Sequence, residues 1–216
     1  MAAAAAAVAD RLQTTALSRH ADLIGRVDAV SVVVPTSAHF QMAKEFLNNG
    51  VDVLIEKPMT TTLAEADALV AIAADRGLII QVGHLERFNP AVKALDGKVE
   101  RPMFIEAHRL SLYKDRCTDV SVVLDLMIHD IDVILSLVDS RPATVSAVGI
   151  AALTNTVDVA NARIEFANGT IANVTASRAS TRSERKFRVW QDRQYVSIDF
   201  GRGVVQRVSS IGDWNE

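Results

Sequence analysis

The chain of 216 residues carries 23 Lys and Arg against 26 Asp and Glu, a net charge of −3, and 49% of its residues are hydrophobic. This length accommodates one large or two small domains, and the near-balanced charge excludes the strongly basic surface of a typical nucleic-acid or membrane-surface binder. The single cysteine, Cys117, excludes an internal disulfide framework and a multi-cysteine zinc site, and it favours a reducing compartment, which we expect to be the cytoplasm.

The first part of the chain alternates helical patterns with apolar, β-branched runs. The predicted elements are a helix at 2–13, a short strand at 14–17, a short helix at 18–27 capped by Ser18, a strand at 29–34, a helix capped by Ser37 and ended by Gly50, a strand at 51–55, a helix that opens at a Thr62–Glu65 capping box and stops at Gly77, and a strand at 78–82. The last of these helices is predicted to bury Leu63, Ala66, Leu69, Val70 and Ala73. Strands that alternate with helices of this length predict βαβ units and a parallel sheet.

After Pro90 the pattern changes to consecutive strands. A strand at 103–110 and a helix at 120–138 are followed by predicted strands at 144–151, 157–166, 170–178, 185–191, 194–200 and 203–209. Asn168-Gly169 between two of them is a strong hairpin signal, and the short turns predict an antiparallel or mixed sheet. We therefore predict an incomplete Rossmann-like parallel sheet, residues 1–88, followed by a helix-backed, open, mostly antiparallel sheet, residues 89–216.

Glu56-Lys57-Pro58 directly follows the predicted strand at 51–55. Ligands of open parallel sheets bind at the carboxyl ends of the strands, so Lys57 is a candidate for chemistry. Pro58 restricts the backbone just after it. The alternative is an ordinary solvated Glu–Lys pair in a loop.

The helix at 120–138 is apolar nearly all round, apart from a stripe of Asp125, His129 and Asp132 that Ser121 and Ser136 extend. Four ionisable groups in this segment argue against a membrane span. Because unpaired buried charge is costly, the stripe faces either partners or a ligand cavity. Three interpretations are open: an internal network around His129, a metal site with ligands at i and i+4, or acid–base chemistry.

Together these motifs resemble the Gfo/Idh/MocA oxidoreductases, the glucose-fructose oxidoreductase and inositol dehydrogenase family. Four segments carry the resemblance, in the family's order: Val34-Pro35-Thr36-Ser37-Ala38-His39, Glu56-Lys57-Pro58, the run from Val82 to Pro90, and the run from Asp125 to Asp132. The third and fourth look most like a bacterial subgroup similar to UDP-N-acetylglucosamine 3-dehydrogenases. The resemblance implies hydride transfer between a sugar or nucleotide-sugar hydroxyl and NAD or NADP, in a homo-oligomer formed through the C-terminal sheet.

The resemblance also implies roles for individual residues. His129 is the general base, Lys57 hydrogen-bonds the reacting oxygen, and Asp125 positions the substrate or His129. The implied cofactor-binding residues are Pro35, Thr36, Ser37, His39, Glu56, Lys57, Pro58 and Arg87. The implied substrate-binding residues are Lys57, Arg87, Asn89, Asp125 and His129, with no metal ligand. In the alternative interpretations Ser37 only caps a helix, His39 is a surface residue of a first turn, and Arg87 is a salt-bridged surface residue.

Several departures from the family pattern keep a second hypothesis open. No G-x-G-x-x-G lies before residue 50, and the family's paired glycines before the catalytic aspartate are here Val120-Ser121-Val122-Val123-Leu124. We expect dinucleotide binding by the chain as written to be poor, through a truncated start or a real loss of the pyrophosphate site. The family's C-terminal helical stretch is also absent before Glu216. The alternative is a non-catalytic binding or oligomerisation protein of the same fold, and a third possibility is family chemistry in which the cofactor is never released.

A basic run precedes the helix at 120–138. Its members are His108, Arg109, Tyr113, Lys114 and Arg116. They form either a contact for a nucleotide-sugar diphosphate or an exposed loop.

Overall fold

The structure, a computed structural model, describes residues 2–113 and 120–210. It divides into two compact units, Met1–Gly83 and His84–Glu216, each with its own hydrophobic core. Cys117 and the predicted basic residues Lys114 and Arg116 lie outside the described residues.

The first unit is a three-stranded parallel sheet with helices between its strands, as predicted. Its elements are α1 (Ala2–Leu12), a 3₁₀ turn (His20–Leu23), β1 (Ala29–Val32), α2 (Thr36–Asn48), β2 (Asp52–Ile55), α3 (Leu63–Arg76) and β3 (Ile80–Val82). The strands lie in the order β1-β2-β3, and both neighbouring pairs are parallel. The carboxyl ends of all three strands therefore lie at one edge of this sheet.

The core of the first unit forms where β2 packs under α2. Val53 and Ile55 of β2 are almost completely buried together with Phe46 and Leu47 of α2. Burying side chains of this size stabilises the fold by about 1.5–3 kcal/mol each. The two buried residues of β2 alternate with half-buried or exposed ones, so this strand is covered on one face more than the other.

Helix α3 begins and ends as its sequence predicts. The Thr62 hydroxyl accepts a hydrogen bond from the Glu65 N–H at 3.3 Å, and the Glu65 carboxylate accepts one from the Thr62 N–H at 3.2 Å. Gly77 ends the helix in the left-handed conformation, with φ of 64°, which costs a glycine little. The capping box and the glycine stop are both confirmed.

Three local predictions for the first unit are wrong. Residues 14–17 form no strand, because this segment has no hydrogen-bonded neighbour in the described sheet. Residues 18–27 form only the 3₁₀ turn, which Arg19 rather than Ser18 precedes, and Gly25 at φ of 75° interrupts any continuation. Helix α2 begins at Thr36 after Pro35, so Ser37 lies inside the first turn and does not cap it.

The predicted buried face of α3 is also too wide. Leu69 and Ala73 are buried, whereas Leu63 and Val70 are 84% and 53% exposed. The helix therefore covers its unit with a narrow stripe rather than a broad apolar face.

The second unit is a seven-stranded, mostly antiparallel sheet backed by one helix. Its elements are a 3₁₀ turn (Leu85–Phe88), α4 (Pro90–Lys93), β4 (Phe104–Leu112), a π-helical turn (Val123–Met127), α5 (Ile128–Leu137), β5 (Pro142–Ile150), β6 (Val159–Phe166), β7 (Ile171–Ser180), β8 (Glu184–Gln191), β9 (Gln194–Asp199) and β10 (Val204–Ser209). The strand order is β10-β9-β8-β4-β7-β6-β5, with β4 and β7 parallel and the remaining pairs antiparallel. The predicted hairpin at Asn168-Gly169 joins β6 to β7.

One face of this sheet packs against α5. On β4 the buried residues Ile105, Ala107 and Arg109 alternate with half-buried ones, and Val133 and Ile134 of α5 are completely buried in the same core. Within the described ranges, no helix is long and apolar enough to cross a bilayer.

Substitution of Thr62 by Ala tests the capping box. The variant leaves the Glu65 N–H without its acceptor, and we expect the first turn of α3 to lose about 1 kcal/mol. In native-state hydrogen exchange, protection of the first-turn amides should fall about fivefold. Thr62→Ser keeps the hydroxyl and is the matched control. Equal protection in T62A and T62S would show that the cap contributes nothing.

Candidate functional site

Glu56, Lys57 and Pro58 follow β2, the middle strand of the parallel sheet. The Glu56 carboxylate accepts a hydrogen bond from the Lys57 N–H at 3.2 Å, and the Lys57–Pro58 peptide bond is cis. Gly83 follows β3, and a Cβ on it would lie 3.3 Å from the Glu56 carboxyl carbon. Glycine at this position therefore leaves room for the half-buried carboxylate at the carboxyl edge of the sheet.

His39 joins the loop after β1 to the loop after β2. Its Nε2 lies 2.9 Å from the Val34 carbonyl oxygen, and its Nδ1 lies 2.9 Å from the Pro58 carbonyl oxygen. The side chain is only 1% exposed, so the interpretation of His39 as a surface residue is wrong. A neutral imidazole has one N–H, so both carbonyls accept hydrogen bonds only when the ring is protonated.

Pro35, Thr36 and Ser37 form the start of α2. No side chain caps this helix, which leaves N–H groups of its first turn for an acceptor on a ligand. A carboxylate for ribose hydroxyls and uncapped N–H groups at the carboxyl edge of a parallel sheet form a donor and acceptor set that fits a dinucleotide.

In the second unit, Asp125 and His129 lie on the irregular stretch that leads into α5. Asp125 is in the π-helical turn and His129 is in the first turn of α5; both side chains are half-buried. The sequence predicts one regular helix at 120–138, and this is wrong at its start because the π turn inserts extra backbone. Such turns are frequent at functional sites.

Asp132, the third member of the predicted stripe, is bound by Arg87. The guanidinium donates two hydrogen bonds of 2.7 Å, from Nε and Nη2, to the two carboxylate oxygens. The hydrogen bonds that Arg87 donates to Asp132 raise the pKa of Arg87 above its ordinary value. Asp132 is 7% exposed and is used by this pair, so the stripe is in part an internal network.

Two further residues of the predicted site, Asn89 and Ser136, form hydrogen bonds within the protein. The Asn89 side chain caps α4, accepting from the Ala91 N–H at 3.0 Å, and donates to Glu86 at 3.1 Å. The Ser136 hydroxyl donates to the Val133 carbonyl of its own helix, so it does not extend the stripe. Substrate and cofactor contacts of Arg87 and Asn89 stay predictions.

A buried ionic cluster around Arg109 was not predicted from the sequence. Arg109 of β4 is 3% exposed and donates from Nε and Nη2 to the two carboxylate oxygens of Asp130, at 2.9 and 2.8 Å. Its Nη1 donates to Glu86 at 3.1 Å, and its guanidinium carbon lies 5.7 Å from the Phe200 ring centroid. The cluster ties β4, α5 and the 3₁₀ turn at 85–88 together next to His129.

The pKa values in this cluster follow from burial and pairing. Burial lowers the pKa of Arg109, but the hydrogen bonds and charges of Asp130 and Glu86 leave it above its ordinary value. Burial raises the pKa of Asp130, against the hydrogen bonds from Arg109 and the charge of Arg185. For Glu86, burial raises the pKa, but Arg109, Asn89 and the charge of His129 together leave it lowered. Glu86 therefore stays ionised close to His129.

A second buried pair holds the chain where it enters the π turn. Asp158 is completely buried, and its Oδ2 accepts from the N–H groups of residues 152–154 at 2.7–2.9 Å. Arg178 lies 3.5 Å from the Asp158 carboxylate and donates to the Val120 and Val157 carbonyls. Burial raises the pKa of Asp158, but these N–H groups and the Thr154 hydroxyl outweigh it and hold the pKa at about 2.

The predicted basic run does not form a cationic surface where it is described. Arg109 is buried, and His108 lies 3.7 Å from Glu106 and 3.6 Å from Glu184. The described stretches hold no group of three His, Cys, Asp or Glu side chains that could bind a metal ion.

Two family models match this chain. The model described as an oxidoreductase family with an NAD-binding Rossmann fold matches residues 1–84, and the GFO/IDH/MocA C-terminal domain matches residues 92–197.

Individual relatives match over most of the chain. The UDP-N-acetylglucosamine 3-dehydrogenase of Acidithiobacillus ferrooxidans is 44% identical over 221 residues, covering 97% of this chain and 70% of the relative. A scyllo-inositol 2-dehydrogenase (NAD(+)) of Bacillus subtilis is 31% identical over 170 residues, 71% of this chain and 49% of the relative. A solved structure of the Acidithiobacillus enzyme superposes with a TM-score of 0.92 at 40% identity, covering 97% of this chain and 69% of that one. The chain thus spans between about half and about 70% of these relatives.

Removal of the Arg109 charge tests the buried cluster. Arg109→Met leaves the Asp130 carboxylate buried without its counter-charge, and we expect the free energy of unfolding to fall by about 3–5 kcal/mol. The control is the double variant R109M/D130L, which removes both charges and should recover most of that loss. Urea unfolding followed by circular dichroism measures both. A double variant as unstable as R109M would contradict a role for charge pairing.

The stability of the Asp158→Asn variant as a function of pH tests whether ionised Asp158 stabilises the fold. Because the folded-state pKa of about 2 lies below the ordinary 3.8, ionised Asp158 contributes stability that is complete above about pH 4 and is lost as the pH falls through about 2. We expect D158N to be less stable than the wild type at neutral pH, with the difference shrinking toward about pH 2. Urea midpoints across this range measure it. Asp75→Asn, an exposed carboxylate on α3, is the control, and a constant D158N difference would refute the assignment.

Proposed function

We propose that this chain, which belongs to the Gfo/Idh/MocA family of NAD-binding oxidoreductases, oxidises a hydroxyl of a nucleotide-linked sugar by hydride transfer to nicotinamide. The observation that carries the substrate class is the 44% identity, over 97% of the chain, to a UDP-N-acetylglucosamine 3-dehydrogenase. Identity at this level across both units makes a shared substrate class the most economical inference.

In the first unit, Lys57 supplies positive charge to the reacting oxygen. Its position at the end of the middle strand of a parallel sheet is where such sheets bind ligands. An ammonium group that donates a hydrogen bond to a developing alkoxide stabilises that charge most in the transition state. Glu56 and Pro58 would hold the nicotinamide ribose, and Pro35, Thr36 and Ser37, at the start of α2, would hold another part of the cofactor. His39 holds the two loops that carry these residues.

In the second unit, His129 takes the proton of the substrate hydroxyl as general base. A histidine suits this role because its ordinary pKa lies near neutrality. Asp125, one turn earlier, orients His129 or binds a neighbouring hydroxyl. The ionised Glu86 close to His129 favours the imidazolium that forms when the proton is taken. Arg87 and Asn89 border the substrate while remaining tied to Asp132 and Glu86.

When bound, NAD or NADP would supply the hydride acceptor for the carbon that carries the hydroxyl. The family is described as NAD-binding, and the uncapped start of α2 and the Glu56 carboxylate are the groups that would hold the cofactor. We further propose a cytoplasmic homo-oligomer formed through the seven-stranded sheet. Exposed apolar side chains on the outermost strands, Val145, Val148 and Val208, are consistent with a covered surface there.

Substitution of His129 by Ala tests the base. We expect kcat with UDP-N-acetylglucosamine and NAD to fall by about 10²–10⁴ while the melting temperature stays close to that of the wild type. Production of reduced nicotinamide, followed by absorbance, measures the rate. Lys57→Ala should lower kcat by a comparable factor, because it removes the hydrogen-bond donor to the developing oxyanion.

Arg163→Gln, on β6, is the matched control and should leave the rate unchanged. Full activity in H129A or K57A would sink the proposed role of that residue. A wild-type protein that folds but binds no nicotinamide cofactor would instead favour the non-catalytic binding protein of the same fold.

A further inference from the structure

A basic groove of about 690 Å³ lies at one end of β8 and β9, in the second unit. It is lined by the turn between β7 and β8, by the first residues of β8, and by the turn between β9 and β10. Its positively charged side chains are Arg182, Arg185, Lys186 and Arg202, and its negatively charged side chains are Glu184 and Asp199. All of them lie outside the cluster of Arg109, Asp130 and Glu86.

Both carboxylates of this groove already have partners. Asp199 accepts hydrogen bonds from the N–H groups of Gly201 at 3.0 Å and Arg202 at 3.1 Å in the turn after β9. Glu184 pairs with Arg182 at 3.2 Å and lies 3.6 Å from His108. The acidic groups are therefore bound within the protein and do not neutralise the rest of the groove.

Two of the four cations form no close ion pair, although the charge of Arg185 also acts on the Asp130 carboxylate. Neither Arg185 nor Lys186 forms an ion pair with any residue that the structure describes. They are adjacent on β8, and because successive side chains of a strand point to opposite faces, they bracket the sheet end from both sides. Such a site attracts a ligand with more than one negative charge rather than a single carboxylate.

Arg185, on one side of the groove, lies on the face of the sheet that carries α5, whereas Lys186 points to the opposite face. Arg185 is the register partner of Arg109 across β8 and β4, and residues directly opposite each other project to the same face. Arg109 binds Asp130 of α5, next to His129, and packs against Phe200, which lines the groove. The groove is thus one strand away from the helix that carries the proposed base.

We infer that this groove binds the diphosphate of the nucleotide-sugar substrate. This inference rests on the proposed function and adds a binding site to it. A diphosphate carries several negative charges and can therefore supply the ion-pair partners that Arg185 and Lys186 do not have within the described part of the protein. Guanidinium groups bind phosphate oxygens with paired hydrogen bonds. The rim residues Arg182 and Arg202 complete the site.

Calorimetric titration of the purified protein with UDP tests the inference. We expect R185Q/K186Q to weaken UDP binding by at least about tenfold, since the variant loses charge-assisted hydrogen bonds to the phosphate oxygens. A second pair, R182Q/R202Q, changes only exposed rim residues and should weaken binding in the same direction. Pyrophosphate should compete with UDP, whereas uridine should not.

Arg163→Gln serves again as the control, because it removes an exposed cation on another strand and should leave UDP affinity unchanged. The same titration is repeated in saturating NAD to separate two sources of diphosphate. Unchanged UDP affinity in NAD supports the inference, and competition by NAD would assign the groove to the cofactor and overturn it. Absence of UDP binding, or equal affinity in both double variants and the wild type, overturns it as well. Since binding is measured without turnover, UDP binding by an inactive protein would refute only the proposed reaction.

Discussion

Burying a guanidinium is costly unless carboxylates and hydrogen bonds replace its water, and the second unit is built around one such group, Arg109. Its partners, Asp130 and Glu86, come from α5 and from the turn at 85–88, so satisfying one cation fixes both segments against β4. Arg87 and Asp132 form a second pair of this kind two residues further along α5. Apolar packing is non-directional, whereas these paired hydrogen bonds define the rotation of the helix. His129 lies directly before the aspartate of the first pair.

The other end of the same helical stretch is held by backbone contacts. A π turn lacks the regular hydrogen-bond ladder of an α-helix, and its entry is supported from outside by Arg178, which binds the Val120 carbonyl. The Val122 N–H donates to the Val157 carbonyl at 2.8 Å, and Asp158 holds the loop before β6 beside it. Asp125 therefore lies between two anchored points. The irregular turn that carries Asp125 is stable here because the contacts on both sides fix its backbone.

Patterns of period two and local turn chemistry were sufficient to predict most of the fold. The strands of the second unit, the hairpin at Asn168-Gly169 and the capping box of α3 each depend on neighbouring residues, which the sequence displays directly. The predicted strand at 14–17 does not form because a strand needs a hydrogen-bonded neighbouring strand, which the local sequence pattern does not reveal. The π turn was not predicted because a stripe calculated at 100° per residue assumes a regular α-helix without an inserted residue.

Arg109 was missed although a signal was present. It shares the parity of Ile105 and Ala107 on β4, so its side chain had to enter the core and find carboxylates there. The sequence alone does not tell which carboxylates, since Glu86 and Asp130 lie on separate segments. Arg185 obeys the same parity as Phe187 and Val189 on β8, and it faces Arg109 across the two strands. The two arginines differ in what covers them: Asp130 and Glu86 enclose the first, while the second, at the strand end, is open to solvent. One cation thus serves the fold, and its neighbour keeps its charge available for a ligand.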